Sequence, residues 1–234
     1  MRRCLKDEGV RLACASAGGS VMAGVWLAEG LRVLDTFAGR TAPALAACAA
    51  ACAAGLVAGA FAAALPARRV RHPAAWMGGA LLGCAVALVA LLAVLPAMSA
   101  GWQRLVGDLS RTFGDYLLAA VKTAAVLFLV PAALAGAAVR FALAAVRTGR
   151  AGPGQALTLC LLLGLLPAAS GFGFGRTVLA SAADTETLLR LGALWCGALA
   201  SLLLWGRGWI AALPFAAMAA LITAVRPGAG PGVL

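Results

Sequence analysis

Charged residues inside long apolar stretches are the residues of this chain best placed to do chemistry. Glu29, Arg32 and Asp35 follow one another at intervals of three near the end of the first apolar stretch, so a helix would place them on neighbouring positions of one face. Such a set could bind or transport a ligand, or it could be an ion pair that holds a helix end at the lipid headgroups. Lys122 lies inside the fourth apolar stretch, where its ammonium group could meet Asp115 or reach outward to the membrane surface.

A serine in the segment Ala169-Ser170-Gly171 raises the question of nucleophilic catalysis. The segment resembles the serine-bearing Gly-x-Ser-Gly stretch of rhomboid intramembrane proteases. A serine nucleophile needs a base to accept its proton, and rhomboids supply a histidine from a later helix. The only histidine of this chain is His72, which precedes Ser170. We therefore predict that the chain is not an enzyme and assign it no catalytic residue.

The sequence predicts neither a cofactor nor a metal site. It contains no phosphate-binding loop and no cluster of histidines with cysteines, and a zinc-type site needs three or four ligands. Cysteines within apolar stretches behave as small hydrophobic residues. Five of the seven cysteines have such a position: Cys48, Cys52, Cys84, Cys160 and Cys196.

These residues lie in or beside about seven apolar stretches, each long enough for the ~20 residues that a membrane span requires. The chain is 63% hydrophobic and 12% charged, against roughly 45–50% and ~25% for soluble domains. We predict an all-α polytopic transmembrane helix bundle. Its spans are expected near 12–31, 41–65, 74–98, 116–146, 155–174, 188–204 and 209–225. The fourth is interpreted as one long helix that tilts or kinks at Pro131.

The chain is predicted to consist of a basic head at 1–11, the transmembrane bundle at 12–225 with a linker near 147–154, and a flexible tail at 226–234. Lysine and arginine accumulate in cytoplasmic loops, and eleven of the 19 basic residues fall on one side of the predicted bundle. This places the amino terminus in the cytoplasm. The basic residues occur singly or in small groups between apolar stretches, so they indicate membrane topology rather than nucleic-acid binding. We expect an integral protein of a bacterial inner membrane, with the lipid bilayer as its first partner.

Small residues predict how the helices pack. In the second span small residues recur at every fourth position, which forms a smooth stripe that lets helix backbones approach closely. The residues of this stripe are Ala47, Ala51, Gly55, Gly59 and Ala63. The third span repeats the pattern with Gly79 and Gly83, and the fourth contributes Pro131 and Gly136.

Three stretches, in this order, resemble the amino-terminal membrane domain of the spermidine synthase-like proteins, also described as fused major-facilitator and spermidine synthase proteins. Glu29, Arg32 and Phe37-Ala38-Gly39 are similar to that family's glutamate, arginine and Phe-x-Gly at the end of helix one. The arginine lies closer to the glutamate than in the family, and the aromatic residue between them is missing. The other two stretches are Gly55-Leu56-Val57-Ala58-Gly59-Ala60, similar to Gly-Leu-x-x-Gly-Ser/Ala, and Leu129-Val130-Pro131-Ala132-Ala133-Leu134-Ala135-Gly136-Ala137, similar to Leu-Pro-x-x-Leu-x-Gly-Ala.

The resemblance ends near residue 150. The family's Asn-Thr-x-Gly segment is not recognisable between Gln155 and Leu165, and its soluble aminopropyltransferase domain has no counterpart in these residues. The resemblance therefore implies a membrane domain and does not imply polyamine synthesis.

Two classes of function remain open. The scarcity of polar residues within the spans favours a non-catalytic membrane subunit or scaffold, whose partner would be a separate soluble or membrane subunit. The alternative is a small transporter-like or channel-like protein for a polyamine or another small cation. It would use acidic residues at the outer mouth, namely Glu29, Asp35, Asp108 and Asp115.

Overall fold

The part of the chain that the structure describes is helical, with no strands. A computed structural model describes residues 2–69, 72–107, 112–148, 161–179, 184–204 and 212–224. The α-helices in these ranges are α1 (Arg2–Ala38), α2 (Ala42–Ala62), α3 (Ala64–Arg69), α4 (Pro73–Gly107), α5 (Phe113–Ala124), α6 (Val130–Thr148), α7 (Leu166–Phe174), α8 (Thr185–Leu204) and α9 (Leu213–Ala224). Three π-helical turns accompany them, at Ala125–Leu129, Leu161–Leu165 and Gly175–Leu179.

Five helical segments are long and apolar enough to cross a membrane: Val10–Ala38, Ala42–Arg69, Pro73–Arg104, Phe113–Ala144 and Thr185–Leu204. They confirm the prediction of an all-helical protein built on apolar, membrane-length helices. The predicted spans 155–174 and 209–225 lie partly outside the described residues, and their described parts are helical. Most of the predicted linker and the whole of the predicted tail also lie outside the described residues, as do Asp108 and Cys160.

The first helix is longer than the predicted span 12–31. It continues to Ala38, where Gly39 adopts a left-handed conformation with φ of 71°. The Gly39 N–H donates to the carbonyl of Asp35 at 3.0 Å, which satisfies one of the last carbonyls of the helix. The next helix begins at once, because the hydroxyl of Thr41 accepts a hydrogen bond from the Ala44 N–H at 3.3 Å and so caps α2. This tight turn holds the ends of α1 and α2 together.

Helices α5 and α6 form one continuous run, interrupted only by the π-helical turn at Ala125–Leu129. Pro131 explains the interruption, because proline has no N–H for the carbonyl four residues before it and its ring crowds that carbonyl. The carbonyl concerned belongs to Leu127, which instead accepts a hydrogen bond from the indole Nε1 of Trp26 at 3.2 Å. The turn at Leu161–Leu165 ends at the same offset before a proline, Pro167. Pro131 thus creates a contact point for α1 as well as a distortion.

The helices form a bundle in which α4 lies between α6 and α8, while α1 packs against α7 and α8 and α2 packs against α5 and α6. Helices α1 and α8 are antiparallel, since Gly18 lies beside Leu199 and Met22 beside Gly192. The core at their junction with α5 contains large apolar side chains with almost no solvent exposure. They include Val33, Leu34, Leu127, Phe128 and Leu189.

The α2–α6 contact is a close approach of two backbones through glycine. A Cβ atom placed on Gly55 would lie 2.5 Å from the carbonyl oxygen of Leu129. One placed on Gly59 would overlap the carbonyl of Ala133, and one on Gly136 would overlap the carbonyl of Leu56. Any side chain at these three positions would therefore force the helices apart.

The two glycines singled out in the third span have different environments. Gly83 receives the side chain of Leu134, whose Cδ2 atom would lie 3.0 Å from an added Cβ. Gly79 is exposed, with nothing within 4 Å of an added Cβ, so the packing role predicted for it is not what the structure has. The residue next to Gly79, Gly78, is the buried one, and it faces Ala200 and Leu203 of α8. A shift of one residue turns a helical position by about 100°, which is enough to move it off the contact.

A further glycine contact, which the sequence did not predict, joins α1 and α7. An added Cβ on Gly24 would overlap the carbonyl of Ala168, and one on Gly171 would overlap the carbonyl of Val21. Gly171 of the rhomboid-like segment is therefore a packing residue in this fold.

Candidate functional site

Glu29 forms the most heavily constrained polar site in the described residues. Its side chain is 3% exposed, and its Oε1 atom accepts a hydrogen bond from the Thr185 hydroxyl at 2.6 Å. An Nη2 atom of Arg32 lies 3.2 Å from the same oxygen and also donates to the Thr185 hydroxyl at 3.1 Å. A buried carboxylate is costly unless it is paired and hydrogen-bonded. The three side chains meet that requirement by closing a triangle.

Two helix ends bring this triangle together. Glu29 and Arg32 lie one turn apart on α1, which is a spacing that allows an ion pair within one helix. Thr185 is the first residue of α8, and the preceding Asp184 accepts the Leu188 N–H at 3.1 Å through its carbonyl. The arrangement neutralises Glu29 and ties α1 to α8, and it leaves the carboxylate with no open side toward solvent.

Asp184 stabilises the start of α8 from outside the predicted span. A hydrogen bond from the Thr187 side chain lowers the pKa of Asp184 below its ordinary value, with a smaller contribution from the charge of Arg190. The ionised carboxylate at this position also complements the positive end of the helix dipole. Position and charge of Asp184 therefore favour the helix start that presents Thr185 to Glu29.

Asp35 is separate from the triangle. Its Oδ2 atom lies 2.6 Å from Nε of Arg40, a residue of the turn between α1 and α2 that is largely exposed. An exposed ion pair of this kind contributes between about 0 and 1 kcal/mol. The structure thus places the three charged residues of the first span in two different roles, one buried and one at the surface.

Tyr116 ties α5 to the same turn. Its hydroxyl donates to the carbonyl of Ala38 at 2.6 Å, and the Thr41 hydroxyl lies 2.7 Å from it. Because the single proton of Tyr116 is directed at a carbonyl, Thr41 is the donor in the second bond. The phenol ring packs edge-on against Trp102, with ring centroids 6.2 Å apart, and the Phe37 ring stacks on Trp102 with centroids 6.4 Å apart. Aromatic clusters of this kind are typical of the membrane–water interface.

Lys122 lies exposed on α5 next to a small groove between α4 and α5. The groove has a volume of about 190 Å³ and is lined by Met98, Gly101, Trp102, Ala119, Lys122, Thr123 and Val126. At its base the Trp102 indole donates to the buried Thr123 hydroxyl at 2.8 Å. Asp115, the possible ion-pair partner of Lys122 in the sequence, forms a capping box with Thr112 at the start of α5. Within the described residues no acidic side chain pairs with Lys122.

Comparisons with family models, with curated proteins and with solved structures find no match. The resemblance to the spermidine synthase-like proteins therefore rests on the three stretches of sequence alone. In the structure the second and third stretches contact each other, since Gly55 and Gly59 meet the backbone around Ala133. The first stretch supplies the Glu29–Arg32 pair and the left-handed Gly39.

The remaining reactive side chains have local structural partners. Ser170 donates its hydroxyl to the carbonyl of Pro167 at 2.8 Å, within its own helix. The described cysteines are free thiols, and Cys48 and Cys196 are buried among apolar residues. In the described ranges no group of three His, Cys, Asp or Glu side chains could hold a metal ion.

Three partners in these sites were not predicted from sequence: Thr185 for Glu29, Thr123 for Trp102, and Tyr116 for the turn at Thr41. Each partner is a hydroxyl-bearing residue far along the chain, up to 156 residues away. Hydroxyl residues are common at helix ends, so nothing in the local sequence distinguishes Thr185. The one available signal was that Thr123 and Tyr116 are polar residues within the fourth apolar stretch.

Proposed function

We propose that this chain is a non-catalytic integral membrane subunit or scaffold, organised like the membrane domain of the spermidine synthase-like proteins. The observation that carries the proposal is that the buried polar side chains of the described helices are bound to other side chains. These residues are Glu29, Thr123 and Thr185. Transport pathways usually keep polar or charged groups directed at the substrate. Here the buried carboxylate is already occupied by Arg32, which argues against a cation site at Glu29.

The proposed membrane arrangement has seven spans, with a cytoplasmic amino terminus in a bacterial inner membrane. Support comes from the directions of the described helices. Helices α1 and α8 are antiparallel, and α2 is parallel to α5 and α6. Helix α9 is antiparallel to α8, since Met218 lies beside Gly197 and the Phe215 N–H donates to Ser201. Spans that alternate in direction along the chain require these orientations. In this arrangement the basic end carries Arg68 and Arg69 and faces the cytoplasm.

The proposed partner is a separate soluble or membrane subunit. The first test is affinity purification of the full-length chain from its native membranes in a mild detergent. We expect one protein to co-purify at a fixed ratio and to stay with the chain through size-exclusion chromatography. The same outcome is expected for a Glu29→Gln variant that remains folded, because the proposal gives Glu29 a structural role.

The second test measures flux of a labelled polyamine in proteoliposomes that contain the purified chain. We expect no saturable uptake above that of empty liposomes. The matched control for Glu29→Gln is Glu186→Gln. Glu186 also pairs with an arginine of its own helix, Arg190 of α8 at 2.6 Å, but both side chains are partly exposed. Saturable uptake that is lost in Glu29→Gln and kept in Glu186→Gln would overturn the scaffold proposal in favour of a transporter.

A further inference from the structure

The Lys122 ammonium group is a charge on the membrane-length helical segment Phe113–Ala144. It is exposed, and within the described residues it makes neither a hydrogen bond nor an ion pair. The Trp102 side chain lines the same groove as Lys122 and donates to Thr123, the next residue along the helix. Lys122 therefore lies at the level of the aromatic rings of Trp102 and Tyr116. A cation near the membrane–water interface can pair with an anionic lipid headgroup.

The groove beside Lys122 has walls of hydrocarbon. Met98 and Gly101 of α4 form one side, and Ala119 and Val126 of the α5 run form the other. The polar atoms at its base are already used, since the Trp102 indole donates to the Thr123 hydroxyl. At about 190 Å³ it is smaller than the ~300–1,000 Å³ typical of pockets for drug-sized ligands. An unbranched hydrocarbon chain suits these dimensions and this lining.

The position of the groove indicates the source of its ligand. Gly101, Lys122 and Val126 are exposed on the outside of the bundle, and the outside of membrane-length helices faces acyl chains. The aromatic rings of Phe37, Trp102 and Tyr116 lie at the same end, which is the end where an interface belt is expected. A lysine stem of four carbons can extend along apolar surface toward that belt while its charge reaches the headgroup level.

We propose that the groove between α4 and α5 binds one anionic phospholipid. One acyl chain lies between Gly101 and Ala119, and the lipid phosphate accepts a hydrogen bond from the Lys122 ammonium. This adds a specific lipid ligand to the protein partner of the proposed function, and it does not depend on that function. The charge of Lys122 selects the headgroup and the apolar walls hold the chain.

The test is native mass spectrometry of the full-length chain in detergent, titrated with phosphatidylglycerol or with phosphatidylcholine. For the unaltered chain we expect one phosphatidylglycerol to be retained in preference to phosphatidylcholine. In Lys122→Gln this preference falls by about tenfold, the loss expected for a hydrogen bond to a charged group. Lys122→Arg keeps it.

Two further variants separate the groove from general charge attraction. Gly101→Leu adds a side chain to the groove at a position where nothing lies within 4 Å of an added Cβ. We expect this variant to reduce retention of the bound lipid while Lys122 remains. Arg104→Gln is the matched control, because Arg104 is an exposed cation one helical turn from Gly101 that does not line the groove. Equal losses in Arg104→Gln and Lys122→Gln would overturn the proposal, as would a preference for phosphatidylglycerol that survives in Lys122→Gln.

Discussion

The hydroxyl of Thr185 offers the sharpest test of how the bundle is held together. The change Thr185→Val keeps the shape of the side chain and removes both of its polar contacts, the donation to Glu29 at 2.6 Å and the acceptance from Arg32 at 3.1 Å. Glu29 stays buried in the variant, and its oxygen keeps only the Arg32 guanidinium at 3.2 Å. We expect the variant to fold with a lower free energy of unfolding.

The size of the loss follows from the two bonds and from their surroundings. Hydrogen bonds to charged groups contribute about 1.5–3 kcal/mol in water-soluble proteins, whereas bonds between membrane helices average about 0.6 kcal/mol and reach ~1.7 kcal/mol. Two bonds near the upper membrane value give a loss of about 2–3 kcal/mol. The loss stays below the ~3–5 kcal/mol of a broken buried ion pair, because Arg32 still neutralises Glu29.

The measurement is the free energy of unfolding in a mixed-detergent titration that replaces a mild detergent with a denaturing one. Thr177→Val is the matched control, because the Thr177 hydroxyl is exposed and donates only to Gly173 of its own helix at 2.8 Å. We expect the control to change stability by less than about 0.5 kcal/mol. In Glu29→Gln the same Thr185→Val change should cost less, since the acceptor no longer carries a charge. Equal losses for Thr177→Val and Thr185→Val would show that the triangle does not hold α1 to α8.

Two further predictions concern packing and pH. Gly59→Leu should destabilise the bundle by about 3 kcal/mol or more, because any Cβ there overlaps the Ala133 carbonyl. Its control is Gly79→Leu, which has open space around it and should change the unfolding free energy by less than ~1 kcal/mol. Normal assembly of Gly59→Leu in detergent would contradict the α2–α6 contact. The Thr187 hydroxyl lowers the pKa of Asp184, so its contribution to stability is present above the unfolded pKa of about 3.9 and is lost as pH falls through the lower folded value. Thermal unfolding between neutral pH and about pH 3 should therefore show a steeper acid loss for the unaltered chain than for Asp184→Asn, and identical pH profiles would contradict it.

Local contacts of this fold could be read from the sequence, because they depend on spacing within one helix. Glu29 and Arg32 are one turn apart, and that spacing alone predicts their ion pair. Membrane-length helices were equally predictable from apolar length. The third residue of the site, Thr185, could not be predicted from the sequence. It lies 153 residues beyond Arg32, and only the packing of α8 against α1 brings the two together.

The rotation of each helix about its own axis is a second feature that could not be predicted from the sequence. The four-residue spacing of small residues predicted a smooth face on α2, and Gly55 and Gly59 lie at a contact. The same kind of pattern in α4 suggested Gly79, yet the residue in contact with α8 is Gly78. A pattern gives the shape of a face but not the direction in which the helix turns it. That direction depends on all neighbouring helices at once.

The Glu29 triangle also has a consequence for the order in which the chain is made. Arg32 belongs to the same helix as Glu29, so their charges neutralise each other as soon as α1 is helical. Thr185 is synthesised 156 residues after Glu29, and α8 must insert before its hydroxyl can join. We expect that Arg32 compensates the charge of Glu29 within α1 while the rest of the protein is translated. Once α8 is in place, the Thr185 hydroxyl adds a hydrogen bond that joins the first helix to a late one.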